Sequence, residues 1–111
     1  MGPALAVTID IDIPSQRMLV KTASGEVMTW PVSTARKGFV TPPGNYTPYS
    51  LQKMHYSRKY QMAPMPHSIF FHEGYAIHGT KSVAQLGRPA SHGCIRLAPA
   101  HAEKLFNMVK L

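Results

Sequence analysis

The sequence predicts a mainly β domain that ends in a single C-terminal helix, on three observations. Val7, Ile9, Ile11 and Ile13 alternate with Thr8, Asp10 and Asp12, the period of a half-buried strand. Met18 to Thr22 and Val27 to Val32 flank Ala23-Ser24-Gly25-Glu26, whose Ser-Gly pair signals a turn, so the two segments form a hairpin. After Pro99, a residue suited to the first turn of a helix, Ala102, Leu105, Phe106 and Val109 recur at spacings of three and four.

In chain order, the first strand ends at the turn Pro14-Ser15-Gln16, and the hairpin completes an antiparallel meander. Arg36-Lys37-Gly38 and Thr41-Pro42-Pro43-Gly44 are loops, with a short strand expected from Asn45 to Thr47. Residues 45–64 hold Tyr46, Tyr49, Tyr56 and Tyr60 among Lys53, Arg58 and Lys59, without an acidic residue or a steady period. This segment reads as a long loop or mobile flap, and a loop of that length in a small domain often carries function. Ile69 to Phe71 and Tyr75 to His78 read as two short buried strands around His72-Glu73-Gly74. The closing helix is expected to lay its apolar face on the sheet.

The 111 residues, 44% of them apolar, fit one domain spanning residues 1–111 and exclude two independent ones. A single cysteine excludes an internal disulfide framework and a structural zinc site built on two or four thiolates. Twelve basic against five acidic side chains give a formal charge of +7, compatible with an anionic partner, although no run of five basic residues occurs. Aromatics interleaved with cations in 45–64 are one way to bind a nucleic acid strand, but no recognition-module motif accompanies them, so no nucleic acid partner is expected. No apolar stretch reaches the length of a membrane span, and Met1-Gly2-Pro3-Ala4 lacks the features of a signal peptide. The chain is therefore expected to be soluble, without membrane insertion, any export signal having been removed or lying outside it.

The chemistry gathers around Ser91-His92-Gly93-Cys94-Ile95-Arg96. A thiol attacks only as its thiolate, so a catalytic cysteine needs a base or a positive environment beside it. His92 lies two residues before Cys94, and His78 lies sixteen before it, at the end of an expected strand. A strand-ending histidine and a glycine-flanked cysteine can meet across neighbouring strands as a dyad. Gly93 lets the backbone bend so that amide N–H groups near Cys94 can face a developing oxyanion. On these grounds alone a lone cysteine is more often a small buried hydrophobe than a nucleophile, and six histidines in 111 residues can be simple composition.

Ile77-His78-Gly79, the sixteen-residue step to Cys94, and Ser91-His92-Gly93-Cys94-Ile95-Arg96-Leu97 together resemble the signature of the L,D-transpeptidase catalytic domain, or YkuD domain. Thr41-Pro42-Pro43-Gly44 is similar to that family's TP-x-G segment, and Met65-Pro66 precedes the strand that leads toward the histidine. The resemblance implies a β-sandwich of mixed and antiparallel sheets with one C-terminal helix. It implies Cys94 as nucleophile toward a peptidoglycan stem peptide, His78 as general base and then acid, and the Gly79 carbonyl as the group orienting His78. It implies an oxyanion hole from the N–H groups of Gly93 and Cys94, and a role for His92 in shaping the acyl site. Ser91 and Arg96 are expected to bind substrate, Arg96 through a carboxylate or else serving in a structural salt bridge.

The same resemblance implies a periplasmic or extracytoplasmic place in the cell envelope, and no metal or organic cofactor. The acceptor is an amine of a second stem peptide, giving a 3-3 crosslink, an amine on an envelope protein, or water; the dyad does not choose among them. A catalytically idle, basic wall-binding module is the alternative of a different class. Papain-like enzymes place cysteine before histidine, and caspases, which share the order here, space the two by about 50 residues around a different cysteine motif, so neither pattern fits. Family domains run on past this helix into a closing strand, which leads to the expectation of either a short domain or an open sheet edge. Of the other histidines, His55 is expected near substrate in the flap, His67 and His72 not to form a metal pair, and His101 to face solvent.

Overall fold

In the computed structural model, which describes residues 7–111, the alternation at the start forms β1 (Val7–Asp12), with Val7, Ile9 and Ile11 turned inward and Thr8, Asp10 and Asp12 outward. β2 (Arg17–Thr22) and β3 (Val27–Pro31) complete a three-stranded antiparallel sheet in the order β1-β2-β3. The hairpin turns where the Ser-Gly signal placed it: the Gly25 N–H donates to the Thr22 carbonyl at 3.0 Å, with Gly25 at φ +95°. Met18 and Val20 of β2 are fully buried.

A second, four-stranded sheet runs β4 (Ser50–Ser57), β5 (Ala63–His72), β6 (Tyr75–Gly79), β7 (Ile95–Leu97), in that order. Its pairs are antiparallel except β6 with β7, which is parallel and needs the long crossover of residues 80–94. Two bridges sew the sheets together, Ser33 with Arg96 and Ala35 with Ser91. The mainly β architecture with one C-terminal helix is thus as expected, with two sheets of antiparallel and mixed pairing.

Helix α1 (Pro99–Met108) begins with proline in its first turn and buries Ala102 and Leu105, with Val109 just past its end. These pack with Trp30, Val32, Ile69, Ile77, Ile95 and Leu97 into one core. Full burial of a side chain such as Leu105 contributes roughly 1.5–3 kcal/mol, so this contact fixes the crossover strand that leads to the site. His101 departs from expectation: its ring stacks on Trp30 at 4.7 Å, because the first turn of α1 lies over β3 rather than in solvent.

The segment 45–64 also differs from the expectation. No strand forms at 45–47, whereas 50–57 is a full strand paired from Ser50↔Phe70 to Ser57↔Ala63. β4 is an edge strand with exposed Gln52, Lys53 and Met54, so its pairing rests on backbone bonds and leaves no apolar alternation to read. β5 starts at Ala63, earlier than expected, and includes Pro64 and Pro66. Both lie where β5 pairs with β4 alone, since β6 meets only residues 69–72, and a proline is tolerated where one edge is free.

Gln16, read as a turn residue, is 3% exposed and holds the loop that reaches the site. Its side chain accepts from the Thr34 N–H at 2.8 Å and donates to Thr34 Oγ1 at 2.6 Å. The carbonyl of Thr34 in turn accepts from the N–H groups of Ala90 and Ser91, both at 3.0 Å. A groove of about 690 Å³ runs between β1, residues 41–48 and the core face of Ile69, Phe71, Ile77 and Ile95, without touching Cys94 or His78. Among the described residues, no helix is long and apolar enough to cross a membrane.

Candidate active site

The parallel pairing of β6 and β7 sets Ile77 opposite Ile95 and His78 opposite Arg96. Side chains alternate along a strand, so Ile77, Ile95 and Leu97 enter the core while Ala76, His78, Cys94 and Arg96 share the other face. Cys94 thus stands one step diagonally from His78, and its thiol packs with Met65, Phe70 and Ala76. The sixteen-residue step in the sequence is the crossover that a parallel pair requires.

His78 is 7% exposed, and its Nδ1 lies 2.8 Å from the Gly79 carbonyl oxygen. A carbonyl only accepts, so Nδ1 carries the hydrogen and the neutral ring presents its lone pair at Nε2. Burial pulls the His78 pKa down to about 4, the Gly79 bond opposing this and Arg96 and His55 reinforcing it. Burial pushes the Cys94 thiol up, opposed by the Ala76 N–H and by Arg96. At neutral pH the thiol and the imidazole are therefore both uncharged.

The lowered His78 pKa has a consequence for stability. Between its unfolded value near 6.5 and its folded value near 4, the unfolded chain binds a proton that the folded chain refuses. This contribution is complete above about pH 6.5 and is lost as pH falls to 4, a total of about 3 kcal/mol. Thermal midpoints measured from pH 7 to pH 4 are expected to fall more steeply for the natural protein than for His78→Gln. Parallel curves would show that His78 is not held neutral.

Residues 91–94 form a tight loop held by its own polar groups and by residue 41. Ser91 Oγ donates to the Cys94 carbonyl at 2.6 Å and accepts from the Gly93 N–H at 3.0 Å. This corrects two expectations. Ser91 is 1% exposed and both its hydroxyl roles are spent on the loop, so it positions Cys94 instead of binding substrate. Gly93 N–H is likewise engaged, by Ser91 Oγ, and is not free to face an oxyanion as expected. Gly93 remains essential for shape, with φ +134° and no room for a Cβ.

Thr41 is the residue that sequence reading undervalued. Its Oγ1 donates to the Gly93 carbonyl at 2.8 Å and accepts from the Ala35 N–H at 2.9 Å, tying two loops at one buried atom. The signal was present in Thr41-Pro42-Pro43-Gly44, but a short loop string carries no distance information.

Arg96 is half-buried, and its Nη1 donates to Gln85 Oε1 at 3.3 Å. Ion pairs among the described residues join His72 with Glu73 and Lys104 with Glu26, so the structural salt bridge considered for Arg96 does not form. His92 stacks on Tyr60 at 4.1 Å and leans on Phe39 at 4.7 Å, a lining position beside the nucleophile. His55 lies on β4, edge-on to Phe70 at 5.1 Å, next to the cluster that includes the thiol. Among the described residues, no group of three or more histidine, cysteine or acidic side chains is arranged to hold a metal ion.

The site can therefore carry out nucleophilic acyl transfer: a thiol, a base with a fixed tautomer, an amide donor and an unpaired cation converge on one sheet face. Comparison with known proteins places this arrangement. Residues 6–111 match the family model for the YkuD L,D-transpeptidase catalytic domain. No curated protein matches significantly. Among solved structures, an L,D-transpeptidase from Mycobacterium smegmatis is 26% identical with a TM-score of 0.86, the alignment covering 96% of this chain and 56% of that one. An L,D-transpeptidase from Stackebrandtia nassauensis is 26% identical with a TM-score of 0.83, covering 100% and 54%. An L,D-transpeptidase in complex with imipenem is 25% identical with a TM-score of 0.84, covering 96% and 56%. The chain spans a little over half the length of these relatives.

Proposed function

The chain belongs to the YkuD family of L,D-transpeptidase catalytic domains, and from that premise we propose that it is a cysteine acyltransferase acting on peptidoglycan stem peptides in the cell envelope. Cys94 Sγ attacks the carbonyl of the third stem residue while His78 Nε2 takes the thiol proton. The Cys94 N–H faces the oxyanion, and Arg96 offers a paired donor to a substrate carboxylate. Collapse of the tetrahedral intermediate breaks the peptide bond, His78 returns its proton to the departing D-amino acid amine, and a thioester remains. An acceptor amine then attacks the thioester, its proton passes to His78, and the thiol is restored. The acceptor amine belongs to a second stem peptide, which makes a 3-3 crosslink, or to an envelope protein, which anchors it to the wall.

The observation that carries this reading is the His78 Nδ1 to Gly79 carbonyl bond, which aims Nε2 away from the backbone on the face that holds Cys94. Intact-mass spectrometry after incubation with tetrapeptide stems tests it. Dimeric products lacking one terminal residue are expected; monomers shortened by one residue identify water as acceptor, and unchanged substrate overturns the reading. Incubation with imipenem, the ligand of one solved relative, is expected to add its mass to the natural protein at Cys94.

A further inference from the structure

Between Glu26 and Glu73 the chain has no acidic residue, yet it places Arg36, Lys37, Lys53, Arg58 and Lys59 there. Two of these cations are built into the site. The Arg36 N–H donates to the Ser91 carbonyl at 2.9 Å, which locks its backbone to the loop that carries Cys94. Its guanidinium lies 5.1 Å over the Phe39 ring, and Phe39 leans on His92. Tyr60 also stacks on the His92 imidazole, and Lys59 lies 5.6 Å over the Tyr60 ring. Arg36, Phe39, His92, Tyr60 and Lys59 thus form one cluster of three contacting rings, Tyr60 stacked on His92 and Phe39 tilted against it by 49°, with a cation on each outer ring, and His92 lies two residues before Cys94 in the chain. Cation–aromatic contact restrains both charges without neutralising them.

Neither cation has a carboxylate partner among the described residues, and neither does Arg96. Arg36, Lys59 and Arg96 also act together on His92, whose pKa is lowered by burial first and then by these three charges. Uncompensated like charges around a site favour any ligand that brings the missing anions. A donor peptide with one carboxylate, held by Arg96, leaves Arg36 and Lys59 without an anion.

Resting on the transpeptidase reading above, we infer that Arg36 and Lys59 select acyl donors carrying an extra free carboxylate, namely stem peptides whose diamino acid at position three is not amidated. Both side chains are exposed, so each contributes on the scale of a surface ion pair, and together they favour the free acid by roughly 5- to 20-fold.

The test uses two synthetic tetrapeptide donors that differ only in whether the side-chain carboxylate of the third residue is free or a carboxamide. The ratio of their kcat/KM values is expected to favour the free acid, to shrink with added salt, and to approach one in R36Q/K59Q. The charge-conserving R36K/K59R variant is expected to keep the preference, which separates charge from packing. Equal rates for the two donors in the natural protein, or a preference that survives R36Q/K59Q, overturn the inference and leave the transpeptidase reading intact. Turnover of neither donor overturns that reading, and this inference falls with it.

Discussion

Replacing Cys94 with alanine is expected to abolish acyl transfer, lowering turnover of tetrapeptide stems by roughly 10⁴-fold or more, with the fold unchanged. The thiol makes only a side contact with Met65, Phe70 and Ala76, so its loss costs about 1 kcal/mol. The bond that shapes the loop runs from Ser91 to the Cys94 carbonyl, which alanine retains. The informative companion is Cys94→Ser. A base whose pKa lies near 4 is too weak to draw a proton from an alcohol, whereas a thiol is several orders of magnitude more acidic. Serine is therefore expected to be almost as inactive as alanine, and neither variant to take up imipenem mass. Chromatographic product assays beside thermal melting decide it. A serine variant with more than about 1% of natural activity would show a stronger base than His78 at the site.

The same depression of His78 sets the pH range. Protonating Nε2 requires pH near 4, so the acid limb of kcat/KM belongs there and not near 6.5, where an open histidine titrates. The sequence pointed to His78 and Cys94 but not to this shift. That His78 and Cys94 can meet across neighbouring strands was legible from the motif and its spacing; that those strands pair in parallel was not. The shift comes first from burial, with Arg96 and His55 of β4 adding to it, and β4 was the strand that the sequence concealed. An edge strand carrying Lys53, Met54 and Tyr56 outward has the composition of a loop, since its order comes from pairing with β5 and not from a buried face. Helix α1 and β1 lay at the other extreme, each with an apolar face that states its period.

The polar clamps were illegible for a related reason. Gln16, Thr41 and Ser91 are common loop residues, and nothing local separates a solvated hydroxyl or amide from one buried among backbone groups. Gln16 and Thr34 are eighteen residues apart, and Thr41 and Gly93 fifty-two. Their partners are fixed only once the two sheets are joined at Ser33↔Arg96 and Ala35↔Ser91. The oxyanion hole was misread at Gly93 on the same account: an amide next to a nucleophile is a free donor only if the neighbouring serine does not claim it.

That arrangement makes Gly93→Ala a damaging change: among the described glycines, only a Cβ at Gly93 would come within 3.0 Å of its neighbours. A Cβ there would sit 2.6 Å from Tyr75 Cε1 and 2.9 Å from the Val40 carbonyl oxygen, on a backbone at φ +134°. The tyrosine ring can turn aside, but the Val40 carbonyl cannot, because the next residue, Thr41, is bonded to the carbonyl of Gly93 itself. Steric overlap and the unfavourable φ each cost about 1–3 kcal/mol, so a loss of roughly 2–5 kcal/mol is expected, or a melting point lower by about 10–20 °C. Activity is expected to fall further than the folded fraction, by roughly 10²-fold, since any relief moves the Cys94 N–H away from the oxyanion. Adding Tyr75→Ala to Gly93→Ala removes the first overlap and leaves the second and the φ strain, so part of the melting point should return and little of the activity. If Gly93→Ala melts with the natural protein, the loop is not clamped between Val40 and Thr41, and the placement of the Cys94 amide must rest on something other than Ser91 and Thr41.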